Sequence, residues 1–121
     1  MTVVRRGTPW STGRPYWSDL TAAGAFTVPA AGGRFDRHYH DCDEYWLIIE
    51  GRARVLTGGK EHDVGPGDLV CTRAGDEHDI LALLGGPLTG FFFEGPLIPD
   101  GRPGHLHRAP GLARGHEVPV I

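Results

Sequence analysis

The chain is 121 residues long, enough for one domain and too short for two cores, and its 19 Gly and 10 Pro fill about a quarter of it where roughly 12% is usual. Gly costs a helix interior about 1 kcal/mol and Pro about 3, so this punctuation excludes a helical bundle, while 40% hydrophobic residues gathered in runs exclude a disordered chain. Twelve basic against 15 acidic residues, a formal charge of -3 and no basic run beyond Arg5-Arg6 argue against nucleic acid and anionic membrane as partners.

Residues 1–23 read as an N-terminal irregular segment with one or more edge strands, rich in turn formers and aromatics such as Pro9, Trp10, Pro15, Tyr16 and Trp17. Their first 13 residues lack the apolar centre of a signal peptide. No stretch reaches the roughly 20 apolar residues that span a bilayer, so a soluble, cytoplasmic protein is expected. Residues 24–95 alternate apolar runs with Gly or Pro, and strands are predicted over 25–28, 35–40, 44–50, 52–57, 60–64, 68–72, 78–84 and 88–94. Strands spaced about 8 to 10 residues apart make an all-β sandwich or barrel. Gly58-Gly59 suits a tight hairpin turn, because both residues tolerate positive φ. Residues 96–121, with five Pro, read as an extended C-terminal tail.

Two of these strands, 45–49 and 80–84, are apolar at every position, so both of their faces are covered. A lone barrel of this size shows more polar outward positions, and a homodimer through an outer sheet face accounts for the excess. The two cysteines, Cys42 and Cys71, are too few for a disulfide framework. Cys42 is expected to point away in a turn, and Cys71 to pack inside.

His38 and His40 stand one residue apart in an extended stretch, so both imidazoles project to one side about 7 Å apart at the backbone. Glu44 heads the next strand beyond the turn Asp41-Cys42-Asp43, and His78 begins a later strand after the turn at 74–77. Three imidazole nitrogens and a carboxylate oxygen suit a divalent first-row transition metal.

These residues and spacings resemble the cupin superfamily. Its first motif is matched by Gly32, His38, His40, Glu44 and Gly51, and its second by Gly67, Asp68, Gly75 and His78, with 15 residues between the two. Two positions depart from it: Arg73 stands where the family usually has Pro, and Ala82 where it usually has Asn. The resemblance implies a cupin-type double-stranded β-helix, a jelly-roll barrel, with one metal held by His38, His40, Glu44 and His78. Fe, Mn, Ni, Cu and Zn all fit such ligands, Fe(II) being favoured. Trp46 and Ile48 share the period-two face of Glu44, and Ile80 and Ala82 that of His78, so these four are expected to line an apolar pocket.

The function expected is that of a metal-dependent enzyme acting on a small polar organic substrate. A non-haem Fe(II)-type dioxygenase is favoured over an isomerase, epimerase or lyase, and over a non-catalytic module that binds a small molecule or metal. The catalytic candidates are Arg73, whose guanidinium would meet a substrate carboxylate or phosphate, and His62, which would shuttle a proton. His105 and His107, a second His-x-His pair, read as coil folding over a neighbouring subunit.

Overall fold

The apolar runs become strands, and two pairs of predicted strands fuse. The computed structural model describes residues 2–121, so Met1, at the head of the N-terminal segment, lies outside the described residues. A one-turn helix α1 (Trp10–Gly13) precedes strands β1 (Ala22–Val28), β2 (Arg34–Phe35), β3 (Glu44–Thr57), β4 (Lys60–Val64), β5 (Leu69–Thr72), β6 (His78–Glu94) and β7 (His116–Glu117). The molecule is all-β with almost no helix.

β3 joins the predicted strands 44–50 and 52–57, and β6 joins 78–84 and 88–94, because their glycines bend the chain without breaking the ladder. The register between β3 and β6 shifts at Ile48/Glu50, Glu50/Arg52 and Arg52/Ala53, which is where Gly51 adopts φ 86°. A Cβ at Gly51 would lie 2.0 Å from the carbonyl oxygen of Pro87, so only glycine allows the two strands to approach here. The bend also resets the inward positions, from Trp46 and Ile48 before it to Ala53 and Val55 after it.

The two bent strands pair along their whole length and thereby belong to both walls of the barrel. The first half of β3 lies between β5 and the second half of β6, whose other edge carries β1; the second half of β3 lies between β4 and the first half of β6. Between the walls lies a core of Val28, Trp46, Ile48, Val55, Val70, Ile80, Leu83, Leu88 and Val118, with Phe26, Phe35 and Phe92 packed against it. Each fully buried Ile or Leu contributes about 1.5–3 kcal/mol.

Three differences from the sequence reading follow from where backbone partners lie. The predicted strand 35–40 shrinks to β2, since β2 pairs with β7 while His38 bridges to His78 and Tyr39 to Leu106, leaving no continuous ladder. Residues 96–121, read as an extended tail, pack back onto the barrel. Val118 is buried in the core, and Leu83 exchanges backbone hydrogen bonds with Pro119 and Ile121 along an open edge of β6. The second face of 78–84 is covered within the chain as well, Asp79 being buried under Arg37 and His116. The stretch 45–49 does keep an exposed apolar side, where Tyr45 and Ile49 join Leu69 and Phe91.

Candidate metal centre

Backbone pairing brings the four predicted ligands together. The His38 and His78 backbones exchange hydrogen bonds of 3.3 and 2.9 Å, Gly75 N–H donates to the carbonyl of His40, and Glu44 opens β3 opposite Thr72 and Glu94. All four side chains are buried, and their donor atoms lie within 4.8 Å of one another. Nε2 of His38 and His78 are 2.9 Å apart, and Glu44 Oε2 lies 2.7 Å from His40 Nε2 and 3.1 Å from His78 Nε2.

The outer hydrogen bonds show which atoms face inward. His38 Nδ1 donates to the carbonyl of Asp36 and His40 Nδ1 to that of Gly104, so in the neutral rings Nε2 carries a lone pair. The Trp46 indole N–H donates to Glu44 Oε1 at 2.9 Å and turns Oε2 toward the imidazoles. His40 Nε2 and Glu44 Oε2, buried and in contact, make no properly aligned hydrogen bond. Electron-rich atoms buried without a donor are costly, and a cation among them removes the cost.

Electrostatics agree. Burial, with help from His78, holds His38 down at about 3, so it is neutral. Burial opposes ionisation of Glu44, but the His40 and His78 imidazoles outweigh it and hold the carboxyl well below its ordinary range. Burial likewise opposes a charge on His40, yet Glu44 and Glu94 raise it above the usual imidazole value. The field that draws a proton to His40 draws a metal ion equally, and a divalent ion satisfies all four ligands where a proton satisfies one pair. The buried His/Glu cluster therefore suits a metal. Phe35 lies 5.4 Å from the His38 ring and Trp46 5.1 Å from that of His78, an aromatic wall on one side.

Beside His40 opens a hollow of about 290 Å³, with Phe92, Leu97 and Pro103 as its apolar lining and Glu94, Arg102 and His105 as its polar one. Glu94 Oε1 lies 3.2 Å from His40 Nδ1, and burial raises its carboxyl above the ordinary value. The family model described as "Cupin domain" matches residues 25–89, more than half of the chain. The chain belongs to the cupin family.

This cupin is 46% identical over 72 residues to the uncharacterized protein y4oW of Sinorhizobium fredii (strain NGR234), covering 60% of this chain and 33% of that one. The chain thus spans one third of the length of that relative. Among solved structures it resembles a cupin family protein with a double-stranded β-helix fold from Methanocaldococcus jannaschii (17% identity, TM-score 0.57, 66% of this chain and 73% of that one). It also resembles the DMSP lyase DddQ of Ruegeria pomeroyi (26% identity, TM-score 0.59, 78% of this chain and 46% of that one). The fold is the cupin double-stranded β-helix.

Other predicted site residues lie elsewhere in the cupin. His62 is exposed on β4 and lines a separate hollow with Asp63, Asp68 and Cys71, to which none of the four clustered residues contributes. Arg73 is 81% exposed and pairs with Asp76 at 3.6 Å, away from the hollow beside His40. Trp46 touches the cluster, whereas Ile48 and Ile80 belong to the core. Ala82 does not share the face of His78. Between Arg54 and Val55 the register with β6 skips Leu81, so Leu83 takes the inward place and Ala82 pairs with Arg54, whose side chain meets Asp63 outside. The cysteines are reversed: Cys71 is exposed, and Cys42 is buried with Sγ 3.8 Å from Glu94, where burial and Glu94 push its thiol up to about 11.

Sequence reasoning missed Glu94 and misplaced His105. Glu94 had one signal, a carboxylate ending the run Phe91-Phe92-Phe93, but only the pairing of β6 with β3 sets it opposite Glu44. His105 crosses its own barrel and stacks on His38, with ring centroids 3.6 Å apart and planes 6° from parallel.

Proposed function

We propose that this cupin is a metal-dependent enzyme acting on a small polar organic molecule, with one divalent first-row metal held by His38, His40, Glu44 and His78. The observation that carries the proposal is the convergence of four buried ligand atoms, from His38, His40, Glu44 and His78, within 4.8 Å of one another. A hollow of about 290 Å³ is at the small end of ligand pockets and suits a metabolite-sized substrate. Arg102, whose Nε donates to Asp41 at 3.1 Å and whose guanidinium also donates to the Tyr39 hydroxyl at 3.3 Å, is 62% exposed and leaves its remaining N–H groups to a substrate carboxylate.

The reaction the geometry supports best is acid–base bond cleavage or isomerisation, of lyase type. Such chemistry needs a proton-transferring group beside the bound substrate, and Glu94 supplies one, with burial favouring its protonated form. A metal in the cluster supplies Lewis acidity toward a substrate oxygen. The likeness to a protein named DMSP lyase agrees with this reading. The second reading, an Fe(II)-type dioxygenase, is supported by the aromatic wall of Phe26, Phe35 and Trp46 beside the cluster.

Elemental analysis of the purified protein should find at least about one ion of Fe, Mn, Ni, Cu or Zn per chain, and about one ion per chain fewer in His78→Ala. Turnover of small carboxylates should proceed under argon and fall in Glu94→Gln. Turnover that requires and consumes dioxygen would select the dioxygenase, and metal binding without any turnover the non-catalytic module. A metal-free wild type whose melting temperature ignores added metals would overturn the site. We further propose a homodimer through the exposed face of Tyr45, Ile49, Leu69 and Phe91. Light scattering should give twice the chain mass, falling to one chain in Leu69→Lys/Phe91→Lys.

A further inference from the structure

A second group of metal-type ligands lies outside the buried cluster. Asp36 Oδ2 meets His105 Nδ1 and His107 Nε2, each at 2.8 Å, and the three donor atoms lie within 4.8 Å of one another. Residues two apart in an extended segment project to one side, so residues 105 and 107 present both imidazoles to the same carboxylate. Leu106 between them is pinned by reciprocal 2.9 Å backbone hydrogen bonds with Tyr39. Arg108 next to them lies 4.5 Å over the Tyr39 ring and bonds the carbonyl of Gly75. The segment is therefore anchored around the imidazole pair. Unlike the buried centre, the group is open to solvent: the His105 side chain is 50% exposed, and those of His107 and Asp36 about a fifth.

We propose that Asp36, His105 and His107 form a second, surface site for a divalent transition metal, which clamps the segment 103–108 across the buried centre. Two imidazole nitrogens and one carboxylate oxygen are a donor set for Zn(II), Co(II), Ni(II) or Cu(II). With metal–ligand bonds of about 2.0–2.2 Å, Asp36 Oδ2 needs to stand only slightly farther from each imidazole nitrogen than its present 2.8 Å, and three protein ligands leave room for water. The site adjoins the buried one through a single residue. His38 lies flat against His105 on one side, and its Nδ1 bonds the carbonyl of Asp36 on another. An ion in the outer site therefore stiffens the mount of an inner ligand and slows release of the inner metal.

The site stands on its own residues and is tested apart from the buried centre. Metal-stripped protein of the whole 121-residue chain is dialysed against Co(II), with bound metal counted and the visible spectrum recorded. Wild type should hold about two ions per chain, and Asp36→Asn and His105→Ala/His107→Ala about one. His78→Ala should also hold about one, now in the outer site. Equal stoichiometry in wild type, Asp36→Asn and the double variant would show that the trio is only a hydrogen-bonded clasp and would overturn the proposal. Equal stoichiometry in wild type and His78→Ala would instead overturn the buried centre. Because His105 is half exposed and Asp36→Asn is isosteric, loss of fold does not confound the comparison.

Discussion

The indole N–H of Trp46 decides which oxygen of Glu44 reaches the imidazoles. By holding Oε1 at 2.9 Å it leaves Oε2 to face His40 and His78, and its ring packs edge-on against His78. Trp46→Phe keeps most of the aromatic packing and removes this donor, so Glu44 can rotate. Metal affinity, measured by competition with a chromogenic chelator, should weaken about 10- to 100-fold while the far-UV spectrum stays that of wild type. Affinity within about twofold of wild type would show that packing alone orients the carboxylate. This relation is legible in the sequence, because Glu44 and Trp46 are two residues apart in one strand and strand period puts them on one face. Glu94 is not legible, since it reaches His40 only through pairing with a strand fifty positions away. Asp36 is hidden for the same reason: its partners come from the far end of the chain.

At the scale of elements, the sequence shows where β structure lies better than where strands end. Gly51 reads as a terminus, yet β3 runs through it, because positive φ together with a partner strand at close approach produces a bend. The predicted pocket position of Ala82 fails for a related reason: a one-residue skip reverses the side chains that follow it, up to the next register shift, and nothing in Ile80-Leu81-Ala82-Leu83 marks the skip. The distinction between bend and turn can be measured. Gly59, in the β3–β4 turn, has φ 79°, and an added methyl there would meet nothing within 4 Å, whereas at Gly51 it would meet Pro87 O at 2.0 Å. Gly59→Ala should therefore cost only the left-handed backbone penalty, about 1–2 kcal/mol. Gly51→Ala adds a clash with backbone that cannot yield and should cost more than about 3 kcal/mol by urea denaturation. Equal costs would mean that β3 and β6 can separate at the bend.

For the molecule as a whole, the decisive feature is that the C-terminal segment closes the fold. Deleting residues 116–121 removes Val118 from the core, β7 from β2 and the backbone bonds of Pro119 and Ile121 to β6. Burial of Val118 alone is worth about 1.5–3 kcal/mol, so the shortened chain should melt well below wild type. One contact of this segment gives its closure a pH dependence. Asp79, buried, accepts from Arg37 at 3.0 Å and from His116 Nε2 at 2.6 Å, while His116 Nδ1 lies 2.8 Å from the carbonyl of Glu117. Burial and Arg37 oppose a charge on His116, but Asp79 and that carbonyl outweigh them and raise its pKa above the ordinary 6.5. A raised folded-state value means that protonation favours the folded state. The contribution is fully present below the unfolded value of about 6.5 and is lost as pH rises through the higher folded value. His116→Gln retains the shape of the contact and cannot titrate. The melting temperature of wild type minus that of His116→Gln should thus be positive at about pH 5.5 and shrink by about pH 8. A difference that stays constant across this window would show that Arg37 alone neutralises Asp79 and that closure of the tail is independent of pH.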